Sequence, residues 1–284
     1  MCSASRVIKK ISTDNNVLGV TSVDDELFVL LDRNKNQVNQ VAVYSINDYQ
    51  LLRHLNVPEL EPHYNNDMTS CVRHKCLYMS DYSNSCIHRY QLSGTFSAAM
   101  KRLVGNRISK WSVPGEPCGL SVTASCNLLV TCQGEPNKLL EMRPFSGQCV
   151  REIALQSDIV WPWHGVPLTT SKIVVCHGAG KHGRHRVCVV GGDGKVTRSY
   201  GGQRGSDVGQ LRCPCHLAVD KDSQFIFVAN HDNNKPRVVS LSPTLEFVRY
   251  VSDELSGPWR LYLHQATRRL FVGQWYGNVT VIQL

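Results

Sequence analysis

The sequence lacks any long hydrophobic run, and amphipathic helical patterning is nearly absent from its 284 residues. The longest notable apolar run, Leu27 to Leu31, is far shorter than the roughly 20 residues that span a bilayer, so we expect no membrane partner. The first residues, MCSASRVIKKISTD, contain no apolar core of the kind found in secretion signals. If Met1 is the true start, these features predict a cytoplasmic protein.

Cysteine motifs for metal binding are also missing. The 12 cysteines make up about 4% of the chain, below the roughly 8–10% typical of small disulfide scaffolds. No CxxC pair occurs, and Cys213-Pro-Cys215 with His216 is too short for a zinc site. We therefore expect reduced cysteines that act as small core residues. The net charge of +8, from 31 Lys+Arg against 23 Asp+Glu, leaves an anionic partner open.

Short runs of Val, Ile, Leu and Tyr alternate with Gly, Asn, Asp and Pro along the whole chain, a pattern typical of an all-β protein. One run recurs as a strand with a characteristic last residue, at Asp32, Asp81, Cys132, His177, Asn230 and Gln274. The average step between these ends is about 48 residues, which indicates an internal repeat.

Each repeat carries further strands in the same order. A first strand begins about thirteen residues before each of these ends, and a third strand follows after a polar loop. A fourth strand is expected in five units, beginning at Leu51, Met100, Val150, Val196 and Phe247. Six units of about four strands predict a six-bladed β-propeller with four antiparallel strands per blade.

The sixth unit has only three strands, but the segment RVIKKI, Arg6 to Ile11, has the pattern of a fourth strand. We predict that it pairs with the last strand, NVTVIQL, and closes the ring, since an open ring would leave an unpaired edge. Residues 1–284 would then form one domain, which we expect to be a monomer.

The fifth unit is the most regular, with spaced glycines before Leu211, a proline at Pro214 and then HLAVDKDSQFIFVANHDNNKPRVV. It resembles the NHL repeat. The matching positions are Gly202, Gly205, Gly209, Leu211, Pro214, Val219, Asp220, Val228 and Arg237. LYMSDYSNSCIHRY in the second unit is similar to the same motif. The resemblance is to the propeller of tripartite-motif/NHL proteins, without RING, B-box or coiled-coil segments, and it implies a face that binds RNA or protein.

The residues that begin the first strands should surround the mouth of the central channel. In this sequence they are Gly19, Met68, Gly119, His164, His216 and Arg260. This set contains no carboxylate, whereas hydrolases of the gluconolactonase type hold a cation with oxygen ligands. The amidating-lyase type uses several histidines for zinc, but here only His164 and His216 are available, beside the positive charge of Arg260. We therefore predict no catalytic residue, metal or cofactor. The two histidines are interior polar residues or part of a binding site.

Loops between second and third strands should lie on the same face as the channel mouth. In units four to six they carry cations and aromatic residues, namely Lys181, Arg184, Arg186, Lys235, Arg237, Trp275 and Tyr276. Cations that meet phosphates and rings that stack on bases are suited to single-stranded nucleic acid. We predict a non-catalytic binding module in which this face and the channel mouth bind single-stranded RNA.

Two alternatives stay open. The first is a protein interaction scaffold, for example one that recognises substrates for a ubiquitin ligase. The second is a propeller hydrolase or lyase. The total charge does not separate them, because each predicted outermost strand carries a basic residue that can protect its edge from other strands.

Overall fold

The computed structural model describes residues 5–13, 15–32, 40–57, 59–92, 108–178, 183–252 and 255–284. Their strands form six four-stranded antiparallel sheets arranged as the blades of a β-propeller. This confirms the predicted fold class.

Within each blade the strands follow one another from the channel outward, and we number the blades in chain order. The first blade contains β2 (Val17–Val23), β3 (Glu26–Leu31), β4 (Gln40–Ser45) and β5 (Leu51–Asn56). The second contains β6 (Met68–Cys71), β7 (Cys76–Asp81), β8 (Cys86–Gln91) and β9 (Ile108–Ser112). The third contains β10 (Glu116–Val122), β11 (Leu128–Gln133), β12 (Lys138–Met142) and β13 (Cys149–Ala154). The fourth contains β14 (Pro162–Pro167), β15 (Ile173–His177), β16 (Arg186–Val190) and β17 (Val196–Gly201). The fifth contains β18 (Pro214–Val219), β19 (Ile226–Asn230), β20 (Arg237–Leu241) and β21 (Phe247–Ser252). The sixth contains β22 (Pro258–His264), β23 (Arg269–Gln274), β24 (Asn278–Gln283) and β1 (Arg6–Ser12).

The N-terminal strand closes the ring, as the sequence predicts. β1 pairs antiparallel with β24, from Arg6 opposite Gln283 to Ser12 opposite Asn278. The sixth blade is thereby built from both ends of the chain, and its four strands are held together by main-chain hydrogen bonds.

The second blade contains one error of the sequence analysis. The predicted fourth strand at Met100 lies outside the described residues, and the strand that pairs with β8 is Ile108–Ser112. The sequence analysis therefore placed the start of this strand eight residues too early.

The core lies between neighbouring blades. Leu30 of the first blade and Met79 of the second belong to one buried cluster, while Val29 and Phe271 join the first and sixth blades. The middle strands are buried on both faces, and exposed residues are concentrated in the outermost strands, such as β5 and β13.

First strands begin on one face of the ring, which we call the channel face. In this up-and-down order, the loops from a fourth strand to the next first strand, and from second to third strands, lie on the channel face. Loops from third to fourth strands lie on the opposite face. This arrangement determines which side chains can act together.

Candidate functional site: the channel face

A β-bulge interrupts five of the first strands near their beginning. The pairing register shifts directly before Gly19, Gly119, His164, His216 and Arg260. These are five of the six residues that the sequence places at the channel mouth. Bulges re-aim side chains, and here they place equivalent positions of different blades around the channel.

The sixth position holds a carboxylate, and the prediction that the channel mouth lacks one is wrong. In the second blade Met68 pairs with Met79, and Asp67 pairs with Ser80 through bonds to its backbone. Asp67 therefore corresponds to His216 and Arg260. The first strand of this blade has no register shift, so alignment on Met68 misplaced the position by one residue.

Asp67 lies at the centre of a buried polar cluster, which we call the channel cluster: Asp67, His164, His216 and Arg260. The Asp67 carboxylate is 3.3 Å from His216 Nε2, 3.8 Å from His164 Nε2 and 3.4 Å from Arg260 Nε. It also accepts a 2.8 Å hydrogen bond from the Leu120 N–H. The two imidazole rings stack with centroids 3.7 Å apart.

The channel cluster links the first strands of all six blades. Arg260 donates to the carbonyl oxygens of Leu18, at 2.7 Å, and Asn66, at 2.8 Å. His164 Nε2 donates to the Leu120 carbonyl oxygen at 3.0 Å, and its Nδ1 accepts from the Leu217 N–H. These bonds join each blade to others across the channel, which is a structural role.

The environment sets the charges of this cluster. Burial opposes ionisation of Asp67, but His216, Arg260 and His164 outweigh it and hold the pKa of Asp67 well below its usual range. Burial lowers the pKa of His164 to about 3, and it also lowers the pKa of His216. At neutral pH the cluster therefore contains one carboxylate, one guanidinium and two neutral imidazoles.

Asp67, His164 and His216 have the composition of a metal site, but their hydrogen bonds do not fit one. Each imidazole accepts a backbone N–H at Nδ1, from Leu217 in one case and Leu261 in the other. The proton therefore lies on Nε2, which in His164 donates to the Leu120 carbonyl oxygen and in His216 points at Asp67. Neither imidazole therefore has a lone pair left for a cation, and the Asp67 carboxylate alone does not make a metal site.

The predicted loop cations occupy different environments. Lys181 lies outside the described residues. Arg186 is buried and lies 2.7 Å from Asp158, which also contacts the exposed Arg184 at 3.1 Å. Arg237 is buried, donates to the Ser206 carbonyl oxygen and lies over the Tyr250 ring at 4.0 Å. Sequence alone does not show this burial, because the partners come from other loops.

The other predicted residues on this face are Lys235, Trp275 and Tyr276. Lys235 is exposed, and 67% of the Tyr276 surface is accessible. Trp275 is half-buried, since its ring packs edge-on against Trp259, with centroids 5.0 Å apart. The structure thus leaves Lys235, Arg184 and Tyr276 available to a ligand.

Two aromatic residues on the same face, Tyr64 and Trp161, escaped the sequence analysis. Tyr64 and Trp161 are exposed, and Tyr82 is half-buried in a second-to-third-strand loop. The His63 ring stacks between Tyr64 and Tyr82, with centroid distances of 4.4 and 4.3 Å. The Tyr64 ring also lies edge-on to the Trp275 ring, with centroids 6.3 Å apart. Tyr64 and Trp161 lie in connections between blades, where the sequence carries no repeat motif.

Comparison with known proteins agrees with the architecture. No model of a known protein family matches the chain, and no curated protein matches it. Among solved structures, it is similar to a protein of unknown function from Bacteroides caccae, with a TM-score of 0.63 and 15% identity. The similarity covers 87% of this chain and 83% of that one. At this identity it shows the fold alone.

The chain is therefore a six-bladed β-propeller, a fold that is commonly a binding scaffold. Within the described ranges, no helix has the length and apolar character needed to cross a membrane.

Proposed function

We propose that the protein is a binding module whose channel face recognises a partner protein. One observation carries this proposal. Four aromatic side chains are exposed among the described residues, and three of them, Tyr64, Trp161 and Tyr276, lie on the channel face. Exposed aromatic residues in loops on a rigid scaffold are typical of protein recognition surfaces.

The charges of the face favour a protein over RNA. The buried Arg186 and Arg237 already have partners within the chain, so they are not available to phosphates. Exposed carboxylates lie on the same face, those of Glu61 and Glu135 in loops and that of Glu116 at the start of β10. A phosphate backbone would be repelled there, whereas a protein can supply complementary groups.

Single-stranded RNA is the second candidate, restricted to the fifth and sixth blades. Lys235 and Tyr276 remain exposed on these two neighbouring blades. A cation beside an exposed ring is the minimum that backbone contact and base stacking need. We retain RNA on this ground only.

We also propose that residues 1–284 form one NHL-like domain. Support comes from the fifth blade, where Asn230 Oδ1 accepts the Arg212 N–H at 2.8 Å and Asn230 pairs with Arg237. Asp81 has a related role in the second blade, where it accepts the Asn84 N–H. In both blades the polar residue at the end of the second strand, a position that the NHL motif also makes polar, accepts a backbone N–H from a loop. We expect a monomer, which light scattering can test.

Three forms of the full chain test the proposed function. Wild type, a Tyr64→Ala/Tyr276→Ala variant and the opposite-face control Phe145→Ala would be cross-linked in cells and analysed by mass spectrometry and RNA sequencing. We expect protein cross-links that survive in the control and are lost from the channel-face variant. RNA lost on Lys235→Glu, without such proteins, would replace the proposal by its second candidate. Cross-links equal in all forms would contradict both.

A further inference from the structure

A cleft of about 600 Å³ opens on the channel face between the second, third and fourth blades. Tyr82, Glu116, Glu135 and Trp161 line it, with Leu155 and Val160 at its apolar side. It is separate from the channel cluster, none of whose residues contributes to its lining. Its lining comes from three blades, so the rigid ring fixes its shape.

The cleft is negatively charged in a protein whose net charge is +8. Glu116 and Glu135 are both exposed, and the described residues that line the cleft include no Lys, Arg or His. Basic residues nearby have other partners: Lys138 lies 2.9 Å from Glu152, and Arg186 lies 2.7 Å from Asp158. The two glutamates are therefore not neutralised by the lining.

Trp161 lines the cleft although its backbone conformation is unfavourable. Its φ angle is +54°, a left-handed conformation that is unfavourable for a bulky residue, and 56% of its surface is exposed. Gly257 takes the corresponding place before Pro258 in the sixth blade. The Trp161 carbonyl oxygen accepts the Gly178 N–H at 3.2 Å, a bond that any residue can make. With more than half of its surface exposed, the residue is not a buried part of the core, and core packing does not explain the indole ring.

Contacts within the protein fix the position of the Tyr82 side chain, which also lines the cleft. Its ring stacks on His63 at 4.3 Å with an interplanar angle of 4°, and its hydroxyl donates to Glu116 at 2.5 Å. The Asn66 side chain accepts the Tyr82 N–H at 3.0 Å. A ligand would find this ring and the Glu116 carboxylate already in place, so little ordering would be needed on binding.

We propose that this cleft binds a positively charged side chain, Lys or Arg, presented by a partner protein. The inference rests on the proposed function of the channel face and names the group recognised there. Aromatic rings attract a cation through their negative faces, and Glu116 and Glu135 add direct charge attraction. A phosphate would meet two carboxylates and no cation in the described lining, which is why RNA does not fit the cleft.

The test uses three capped pentapeptides, Gly-Ala-X-Ala-Gly, in which X is Lys, Arg or norleucine. Each is titrated into the full chain while the tryptophan indole signals are followed by NMR. We expect the Lys and Arg peptides to shift the Trp161 indole signal to saturation and to bind at least about tenfold more tightly than the neutral norleucine peptide.

Variants separate the contributions. Trp161→Ala should weaken the binding of the Lys and Arg peptides about tenfold, and Glu116→Gln/Glu135→Gln should weaken it and remove most of its salt dependence. Phe145→Ala and Glu246→Gln remove an exposed ring and an exposed carboxylate elsewhere, and both should bind as wild type does.

Equal binding of the norleucine peptide would overturn the inference, and so would cationic binding that does not depend on Trp161. Binding of a single-stranded oligonucleotide that competes with the Lys peptide would also overturn it, in favour of RNA. If the peptides fail while cross-linked proteins still depend on Tyr64 and Tyr276, only the cleft assignment falls. If the peptides bind and no cross-link depends on this face, the proposed function falls.

Discussion

Two groups of polar residues lie on the channel face, and they are used in opposite ways. The channel cluster is buried, and its two permanent charges, on Asp67 and Arg260, face each other at 3.4 Å. The cleft between the second and fourth blades is exposed, and its two carboxylates have no cation in the lining. Charged residues thus have a structural role where they are buried against an opposite charge, and are available for recognition where they are exposed without one.

The energetic roles differ accordingly. A buried charge that loses its partner destabilises the fold strongly, whereas an exposed carboxylate is solvated by water and contributes little to stability. We therefore expect changes in the channel cluster to alter stability, and changes in the cleft to alter binding.

The largest expected effect is that of Asp67→Ala. This substitution leaves the Arg260 guanidinium buried without its counter-charge, and we expect the free energy of unfolding to fall by about 3–5 kcal/mol. Urea denaturation followed by fluorescence measures it. Glu116→Gln, in the cleft, is the matched control and should change stability by less than about 0.5 kcal/mol. Equal losses in the two variants would remove the distinction between the two groups.

The second effect is a loss of stability in acid. Unfolded histidine takes up a proton near pH 6.5, whereas folded His164 does so only at a pKa of about 3 and folded His177 at about 4. The unfolded chain therefore binds more protons as the pH falls from 6.5, and the free energy of unfolding decreases by about 1.4 kcal/mol per unit of pKa difference. Asp67, with its lowered pKa, continues the loss below about pH 4.

Urea titrations between pH 7 and pH 3 measure this dependence. His164→Gln should be less stable than wild type at pH 7 but should lose less stability on acidification. A wild-type stability that stays constant from pH 7 to pH 4 would show that the imidazoles are not buried as neutral groups.

A smaller effect is expected at Gly119, where the channel wall is tight. A Cβ at this position would clash with the Trp163 carbonyl oxygen and lie 2.7 Å from the His164 Cα. Because these are backbone contacts, Gly119→Ala should destabilise the protein by about 1–3 kcal/mol. Gly192→Ala is the control, since its Cβ would meet only an Arg151 side-chain nitrogen at 3.8 Å. Thermal unfolding of the two variants tests the difference.

The smallest effect on stability is expected for Trp161→Gly. Glycine relieves the left-handed strain but adds freedom to the unfolded chain, so the free energy of unfolding should be unchanged or rise by up to about 1 kcal/mol. The same variant should lose binding of the Lys peptide. A loss of stability above about 2 kcal/mol would mean that the indole packs as part of the fold and is not kept for a ligand.

The repeat in the sequence was enough to predict the fold. Strand ends recur at a nearly constant spacing, and the pattern of Arg6 to Ile11 indicated the strand that closes the ring. The limits of this approach appear in the second blade. Fourteen residues before Asn230 and Gln274 stand His216 and Arg260, and fourteen before Asp81 stands Asp67. Counting thirteen reached Met68 and missed the carboxylate.

The cleft could not be predicted in the same way. Tyr82, Glu116 and Trp161 come from three blades and share no motif, so only the packing of the ring brings them together. Burial was equally hidden, since Arg186 and Arg237 look like loop cations until Asp158 and Ser206 are placed beside them. A periodic sequence predicts the architecture, whereas contacts between blades determine the sites.

The most direct test of the account is the protonation of His164 and His216, observed through their imidazole nitrogens by NMR in the folded protein. If the channel cluster is structural, both rings are neutral with the proton on Nε2 at pH 7, the His164 ring stays neutral down to pH 5, and added zinc leaves the signals of both rings unchanged. Protonation of either ring near pH 6.5, or a saturable zinc-dependent shift of both, would show that these residues are available for chemistry and would contradict the account.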